Sequence, residues 1–186
     1  KHIQLENIKQ YVDSGAFVPT SDYSYAEKAD ALIICVPTPL GTHFEPDLTY
    51  IQQTIDQLLP YVRKGHIISL ESTTYPGTTE EEIDQRIREK GFTTGADIFI
   101  AYSPEREDPG NKQFTTRSIP KVVGGITDSC VVVAETLYSQ IIDKIETVTS
   151  TKVAEMTKLL ENIYRAVNIG LVNELKMVAD SMDIDI

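Results

Sequence analysis

The stretch HIISLESTTYPGTTEEEI, residues 66–83, decides how the chain is read. It opens on an apolar, β-branched run, passes through Ser72, Thr73 and Thr74, turns at Tyr75-Pro76-Gly77 and enters three consecutive glutamates. The opening suits a buried strand and the close suits the first turn of a helix. Thr78 or Thr79 can cap that helix, and Glu80, Glu81 and Glu82 lie at the positive end of its dipole. A plain strand-to-helix connection accounts for the caps. It does not account for the hydroxyls packed between Glu71 and Thr74, which point to a loop that meets a ligand.

The same alternation extends in both directions. Residues 31–37 (ALIICVP), 97–104 (DIFIAYSP), 121–125 (KVVGG) and 144–150 (KIETVTS) read as further strands. Helical patterns over 48–62, 79–90 and 129–142 separate them; in the first, Ile51, Ile55, Leu58 and Leu59 share one face. Near-continuous apolar strands alternating with helices predict an α/β fold, a doubly wound, Rossmann-like parallel sheet covered on both faces. The last segment differs. From Thr151 to Met182 there is no proline and one glycine, and Val153, Met156, Leu159, Leu160, Ile163, Val167, Leu171, Leu175 and Val178 recur at three- and four-residue steps. That spacing predicts one long amphipathic helix, of the kind that bridges an α/β domain to a second one. The opening KHIQLENIKQYVDSGAF is helix-like with no strand before it, and the chain stops soon after the long helix, so an internal portion of a longer protein is expected. The division expected is residues 1–150, the later part of a nucleotide-binding domain, and 151–186, the start of a helical one.

Composition narrows the partners. The 186 residues carry 28 acidic and 17 basic side chains, a formal net charge of −11, which argues against non-specific binding to nucleic acid or an anionic membrane surface. No run approaches the ~18 apolar residues of a membrane helix, and no signal peptide opens the chain. Two distant cysteines, Cys35 and Cys130, form no CxxC pair, which suits a reducing cytoplasm. Each reads as a small apolar filler at the end of a strand or the start of a helix. His2, His43 and His66 have no metal-ligand spacing, so no metal site is expected.

In an open α/β sheet, ligands bind where strands end. After the first strand, Pro37 and Pro39 bracket Thr38 and remove two backbone donors, leaving either a stiffened turn or a wall for a ribose or ring. After the third, Glu105, Arg106, Glu107 and Asp108 lie between Pro104 and Pro109-Gly110. A carboxylate fixed there can orient a water or act as a base, and the arginine can pair with a phosphate; a solvated charge cluster is the plainer reading. On the long helix, Glu155, Lys158 and Asn162 share one face opposite the apolar stripe, with Arg165 adjacent. The face is either an exposed polar surface or a lysine and an amide aimed at an oxyanion.

Taken together, CVPTPL, ESTTYPGTTEE, SPEREDPGN, IPKVVGG and VAEMTKLLENIYRAVNIGLVNELK resemble the nucleotide-sugar 6-dehydrogenases, in order and approximate spacing. ESTTYPG with SPEREDPGN is similar to the branch acting on UDP-N-acetylglucosamine or UDP-N-acetylmannosamine, and the residues leave the epimer open. The resemblance implies a cytoplasmic, NAD-dependent enzyme that oxidises a UDP-sugar's primary alcohol to the carboxylate in two steps, through an aldehyde held on a cysteine, to supply surface polysaccharide. It implies Val36, Pro37, Thr38, Ser72 and Thr73 at the cofactor, and Thr73, Glu105, Lys158 and Asn162 in catalysis. Glu105, Arg106, Glu107, Asp108, Lys158, Asn162 and Arg165 are implied at the substrate, and a homodimer through the long helix. The departures are equally specific. None of the ten glycines falls in a GxGxxG pattern, and the family's nucleophilic cysteine has no counterpart here. The chain alone is therefore expected to be inactive. The other reading is a non-catalytic sugar-nucleotide-binding or regulatory module; a flavodoxin-like signalling domain explains neither the long helix nor the strand-tip hydroxyls.

Overall fold

The computed structural model describes residues 5–43, 45–105 and 117–185. A short helix, α1 (Leu5–Asp13), and a 3₁₀ turn (Tyr23–Lys28) lead into β1 (Ala31–Ile34). Then come α2 (Thr49–Leu58), β2 (Ile67–Leu70), a helix that begins as a wide π-helical turn (Thr79–Asp84) and continues as α3 (Gln85–Glu89), β3 (Phe99–Tyr102), β4 (Lys121–Gly125), α4 (Asp128–Tyr138), β5 (Ile145–Val148) and α5 (Thr151–Ser181). Each expected element is present. The strands stop earlier than their apolar runs because the chain bends into loops at their tips, and Pro60 tightens the end of α2 into a 3₁₀ turn, Leu59–Tyr61.

The strands lie side by side in chain order. Pairings β1–β2, β2–β3 and β4–β5 are parallel, while β3–β4 is antiparallel. The sheet is thus mixed rather than wholly parallel. Lys121 starts β4 at the rim where β3 ends, so the chain has no need to recross the sheet between them. Alternation along β2 divides the core in two. Ile68 and Leu70 pack with Ile51, Ile55, Ile83 and Ile87 on the α2–α3 side. Ile67 packs with Ala134 and Tyr138 of α4 on the other. Burying each such aliphatic side chain contributes about 1.5–3 kcal/mol.

α5 settles which face docks, a choice its spacing leaves open. Its buried positions are Thr151, Ala154, Glu155 and Ala179, whereas Leu160 is 58% and Val167 62% exposed. Part of the polar side packs on the sheet in the first two turns, and the apolar stripe lies open. Steps of three and four fix which residues share a face but not which face meets the sheet. Ala154 and Thr151 are small enough to let the helix approach β4, and that close approach decides it. Among the described residues, no helix is long and apolar enough to cross a membrane.

Candidate active site

Register builds the site. Ile34 pairs with Leu70, and Leu70 pairs with Tyr102, so the first three strands end level with one another. The loops after them therefore stand side by side on one rim. Two hydrogen bonds lace the first loop to the second: Ser72 Oγ donates to the Val36 carbonyl at 2.7 Å, and Thr38 Oγ1 donates to the Thr73 carbonyl at 2.7 Å. Ser72 is buried and Thr73 exposed, so the lacing uses the first hydroxyl and presents the second. Pro37 lies exposed between the anchors.

The third loop is met by α5. Lys158 Nζ donates to the Glu105 carbonyl at 2.7 Å and lies 4.0 Å from its carboxylate. The lysine side chain is 16% exposed and that of Glu105 53%, so the ammonium is held near the rim while the carboxylate remains in water. The structure thus joins Thr38 to Thr73 and Glu105 to Lys158. Asn162 and Arg165 are exposed, one and two turns farther along α5. Arg106, Glu107 and Asp108 lie outside the described residues.

Two groups at the rim escaped the sequence reading. Glu155 shares a helical face with Lys158 but is fully buried. Its Oε2 accepts from the Gly77 N–H at 2.6 Å, and its Oε1 accepts from the Thr79 N–H at 2.9 Å and the Thr79 hydroxyl at 2.7 Å. Burial pushes its carboxyl above the usual range, with the bonds from Gly77 and Thr79 pulling the other way. Only its placement between buried Ala154 and rim-facing Lys158 hints at this in the sequence. The second group lies on the α4 side. Tyr138 Oη donates to Glu71 at 2.6 Å and lies 2.7 Å from Ser69 Oγ, while Lys121 Nζ is 3.2 Å from the same Glu71 oxygen and 4.7 Å from the Tyr138 ring centre. Those residues come from three segments with no shared motif.

Cys35, expected to be buried, is exposed, because β1 is an edge strand and its tip lies open. Partial burial and the Glu71 charge raise its thiol pKa. Cys130 is fully buried at the start of α4, where its Sγ accepts from the Ile100 N–H at 3.3 Å.

A neutral, hydroxyl-bearing rim with two loops locked together suits the ribose and ring end of a dinucleotide. A pyrophosphate needs free N–H groups at a helix N-terminus. Here the Gly77 and Thr79 amides at the start of the helix following β2 are taken by Glu155, and the Cys130 amide at the start of α4 by its cap, Thr127. The residues present therefore fit the nicotinamide half of the cofactor.

Residues 2–142 match the NAD binding domain of the UDP-glucose/GDP-mannose dehydrogenase family, and residues 152–186 match that family's central domain. The chain belongs to the UDP-glucose/GDP-mannose dehydrogenase family. It is 40% identical over 168 residues to Protein CapL of Staphylococcus aureus, covering 89% of this chain and 40% of the relative. It is 36% identical over 182 residues to the UDP-N-acetyl-D-glucosamine 6-dehydrogenase of Pseudomonas aeruginosa, covering 94% and 43%. The solved UDP-D-ManNAc dehydrogenase of Pyrococcus horikoshii superposes with a TM-score of 0.89 at 31% identity, over 98% of this chain and 44% of that one. The chain thus spans less than half the length of these family members.

Proposed function

We propose that this chain is the rim-bearing part of an NAD-dependent UDP-N-acetylhexosamine 6-dehydrogenase, with residues 1–150 belonging to its cofactor domain and 151–186 opening its central domain. The observation that carries the reading is the Lys158 contact with Glu105 at the strand tip next to the laced Thr38–Thr73 loop pair. It puts a cation from one segment beside the neutral hydroxyl rim of the other. Relatives named for both UDP-N-acetyl-D-glucosamine and UDP-N-acetyl-D-mannosamine support the substrate class.

When bound, NAD accepts a hydride from the sugar's C6 in each of two oxidations, from alcohol to aldehyde and from the aldehyde level to the acid level. The chain's own residues bind and orient. Val36, Pro37, Thr38 and Ser72 form the wall against the nicotinamide ribose. Thr73 presents its hydroxyl toward the reacting carbon. Lys158 has ammonium donors left after the Glu105 carbonyl is served, and with Asn162 one turn on they stabilise an oxyanion at C6. The Glu105 carboxylate, open to solvent, orients the water that attacks the thioester which the second hydride transfer would leave on the family's cysteine, so that the C–S bond breaks and the acid and the thiol are released. Arg106, Glu107, Asp108 and Arg165 extend the same side toward the sugar nucleotide. The open apolar stripe of α5 suits a homodimer core, and the enzyme's place is the cytoplasm, supplying uronic-acid sugars for surface polysaccharide.

The test is a full-length preparation incubated with NAD and each UDP-N-acetylhexosamine. Formation of two NADH per sugar and the matching uronic acid is expected, with the 186-residue chain alone silent. No NADH from either sugar with the full-length protein would refute the reading.

A further inference from the structure

Glu155 is a buried acid that the scheme above does not use. A free carboxylate among apolar groups is expensive, and this one is kept by three donors belonging to one turn, Gly77 N–H, Thr79 N–H and Thr79 Oγ1. Those donors form the N-terminus of the helix that follows β2, where an anion is favoured. The turn there is widened into a π-helical one, with the Gln85 N–H bonding to the Glu80 carbonyl. Such widened turns occur where a helix accommodates an inserted contact. The other end of the same loop carries Ser72 and Thr73. On α5, Lys158 follows Glu155 by three residues and so projects from the same face. One helical turn thus grips the loop with an anion and the neighbouring strand tip with a cation.

We infer that Glu155 is a positioning residue: it locks the loop spanning residues 72–79 to α5, so that Thr73 on the sheet and Lys158 on the helix are held as one unit across the junction of the two family domains. A second α5 contact to the same helix, Lys152 to Glu80 at 2.5 Å, lies on the surface and joins side chains only. It docks the helix without reaching the loop's main chain. Glu155 sets the loop itself, and a misplacement of about 1 Å at reacting groups costs about 100-fold in rate.

The inference rests on the proposed function for its kinetic arm and is independent of it for its structural arm. In the full-length protein, hydrogen exchange at Gly77 or Thr79 should quicken by at least about tenfold in Glu155→Gln, whose NH₂ end must face one of these N–H groups. The β2 amides should keep their protection. Thr79→Val removes only the hydroxyl contact and should give a smaller change of the same sign. In turnover, Glu155→Gln should lower kcat by about 10–100-fold with KM for NAD within about threefold, while Lys152→Ala leaves kcat unchanged. If Glu155→Gln does not fold, Thr79→Val decides alone: lowered loop protection supports the lock and unchanged protection overturns it. Unchanged exchange at Gly77 and Thr79 in Glu155→Gln overturns the lock whatever the activity. Equal kcat losses in Glu155→Gln and Lys152→Ala reduce it to ordinary docking. A wild-type protein that oxidises no UDP-sugar, yet shows the exchange change, defeats the proposed function and leaves the lock standing.

Discussion

Lys158 reaches across 53 residues of chain to donate to the Glu105 carbonyl at 2.7 Å, while the Glu105 carboxylate sits 4.0 Å away and more than half exposed. The lysine is anchored chiefly on a neutral main-chain carbonyl, with the carboxylate at the outer limit of ion-pair distance. That bond uses one of the ammonium's three donors, which suits the oxyanion role proposed for it.

Replacing Lys158 by methionine keeps the stem and removes the charge. On the proposed function, kcat of the full-length protein should fall by about 10²–10³, the loss typical of removing an oxyanion donor, and Tm should move by only a few degrees. Steady-state NADH formation beside a melting curve separates the two. A kcat within threefold of wild type would remove Lys158 from the chemistry.

The extent to which the sequence foretold this follows from what each signal encodes. β-branched runs beside caps and glutamates report local preference, and the strands and helices fell where they were read. Level strand tips follow from parallel register, so Thr38, Thr73 and Glu105 were legible as rim residues. The β3–β4 reversal was not, because the short KVVGG run reads alike in either direction. The helix pattern of α5 has two polar-to-apolar boundaries and no mark of which face docks, so nothing in it marks Glu155 as buried. Its burial depends on donors from Gly77 and Thr79, 78 and 76 residues away. Tyr138, Glu71 and Lys121 meet for the same long-range reason.

The Glu71–Lys121 pair should tune Cys35 in opposite directions. Partial burial and the Glu71 charge raise the thiol pKa, and Lys121 lowers it. Glu71→Gln removes the anion, so more thiolate exists at about pH 8 and alkylation by iodoacetamide should quicken severalfold; the lower nucleophilicity of a more acidic thiol offsets only part of this. Lys121→Ala should slow it. Cys130 is buried and should stay unmodified in the native chain, so a single-label mass shift reports Cys35. Rates moving together in the two variants would contradict the electrostatic assignment.

His66 predicts a pH dependence. It is fully buried at the start of β2, and its Nδ1 accepts from the Arg63 N–H at 3.3 Å. Burial first, and the Arg63 guanidinium second, lower its pKa, opposed in part by the Ala29 carbonyl and Asp30. The unfolded chain takes up this proton near pH ~6.5 and the folded chain only at lower pH. Between those values the unfolded state binds more protons, so stability is lost as pH falls through about 6.5 toward the folded pKa, and none is lost above it. The ring Hε1 resonance should titrate with a midpoint below 6.5, and Tm should decline over the same window. His66→Gln should flatten that part of the Tm profile. A midpoint at or above the ordinary histidine value would contradict the burial assignment.

Gly124 and Gly170 should respond oppositely to alanine. A Cβ on Gly124 would fall on the Ser150 carbonyl oxygen and lie 3.0 Å from the Thr151 N. Both are main-chain atoms where α5 begins, and Ser150 also caps that helix by accepting from the Val153 N–H at 3.3 Å. Main chain cannot swing aside as a flexible side chain can, so Gly124→Ala must push α5 off β4, at about 1–3 kcal/mol. At about 2–4 °C per kcal/mol for a chain of this size, Tm should drop by roughly 2–12 °C. Gly170 sits inside α5 with nothing within 4 Å of its would-be Cβ, so Gly170→Ala in this chain gains helix propensity, about 1 kcal/mol, and Tm should rise. The Gly124 effect should also reach the loop after β2, because α5 carries Glu155: hydrogen exchange at the Glu155-bound amides of Gly77 and Thr79 should quicken in Gly124→Ala and stay unchanged in Gly170→Ala. A Gly124→Ala protein as stable as wild type, with those amides still protected, would mean that the close approach of β4 does not set the helix.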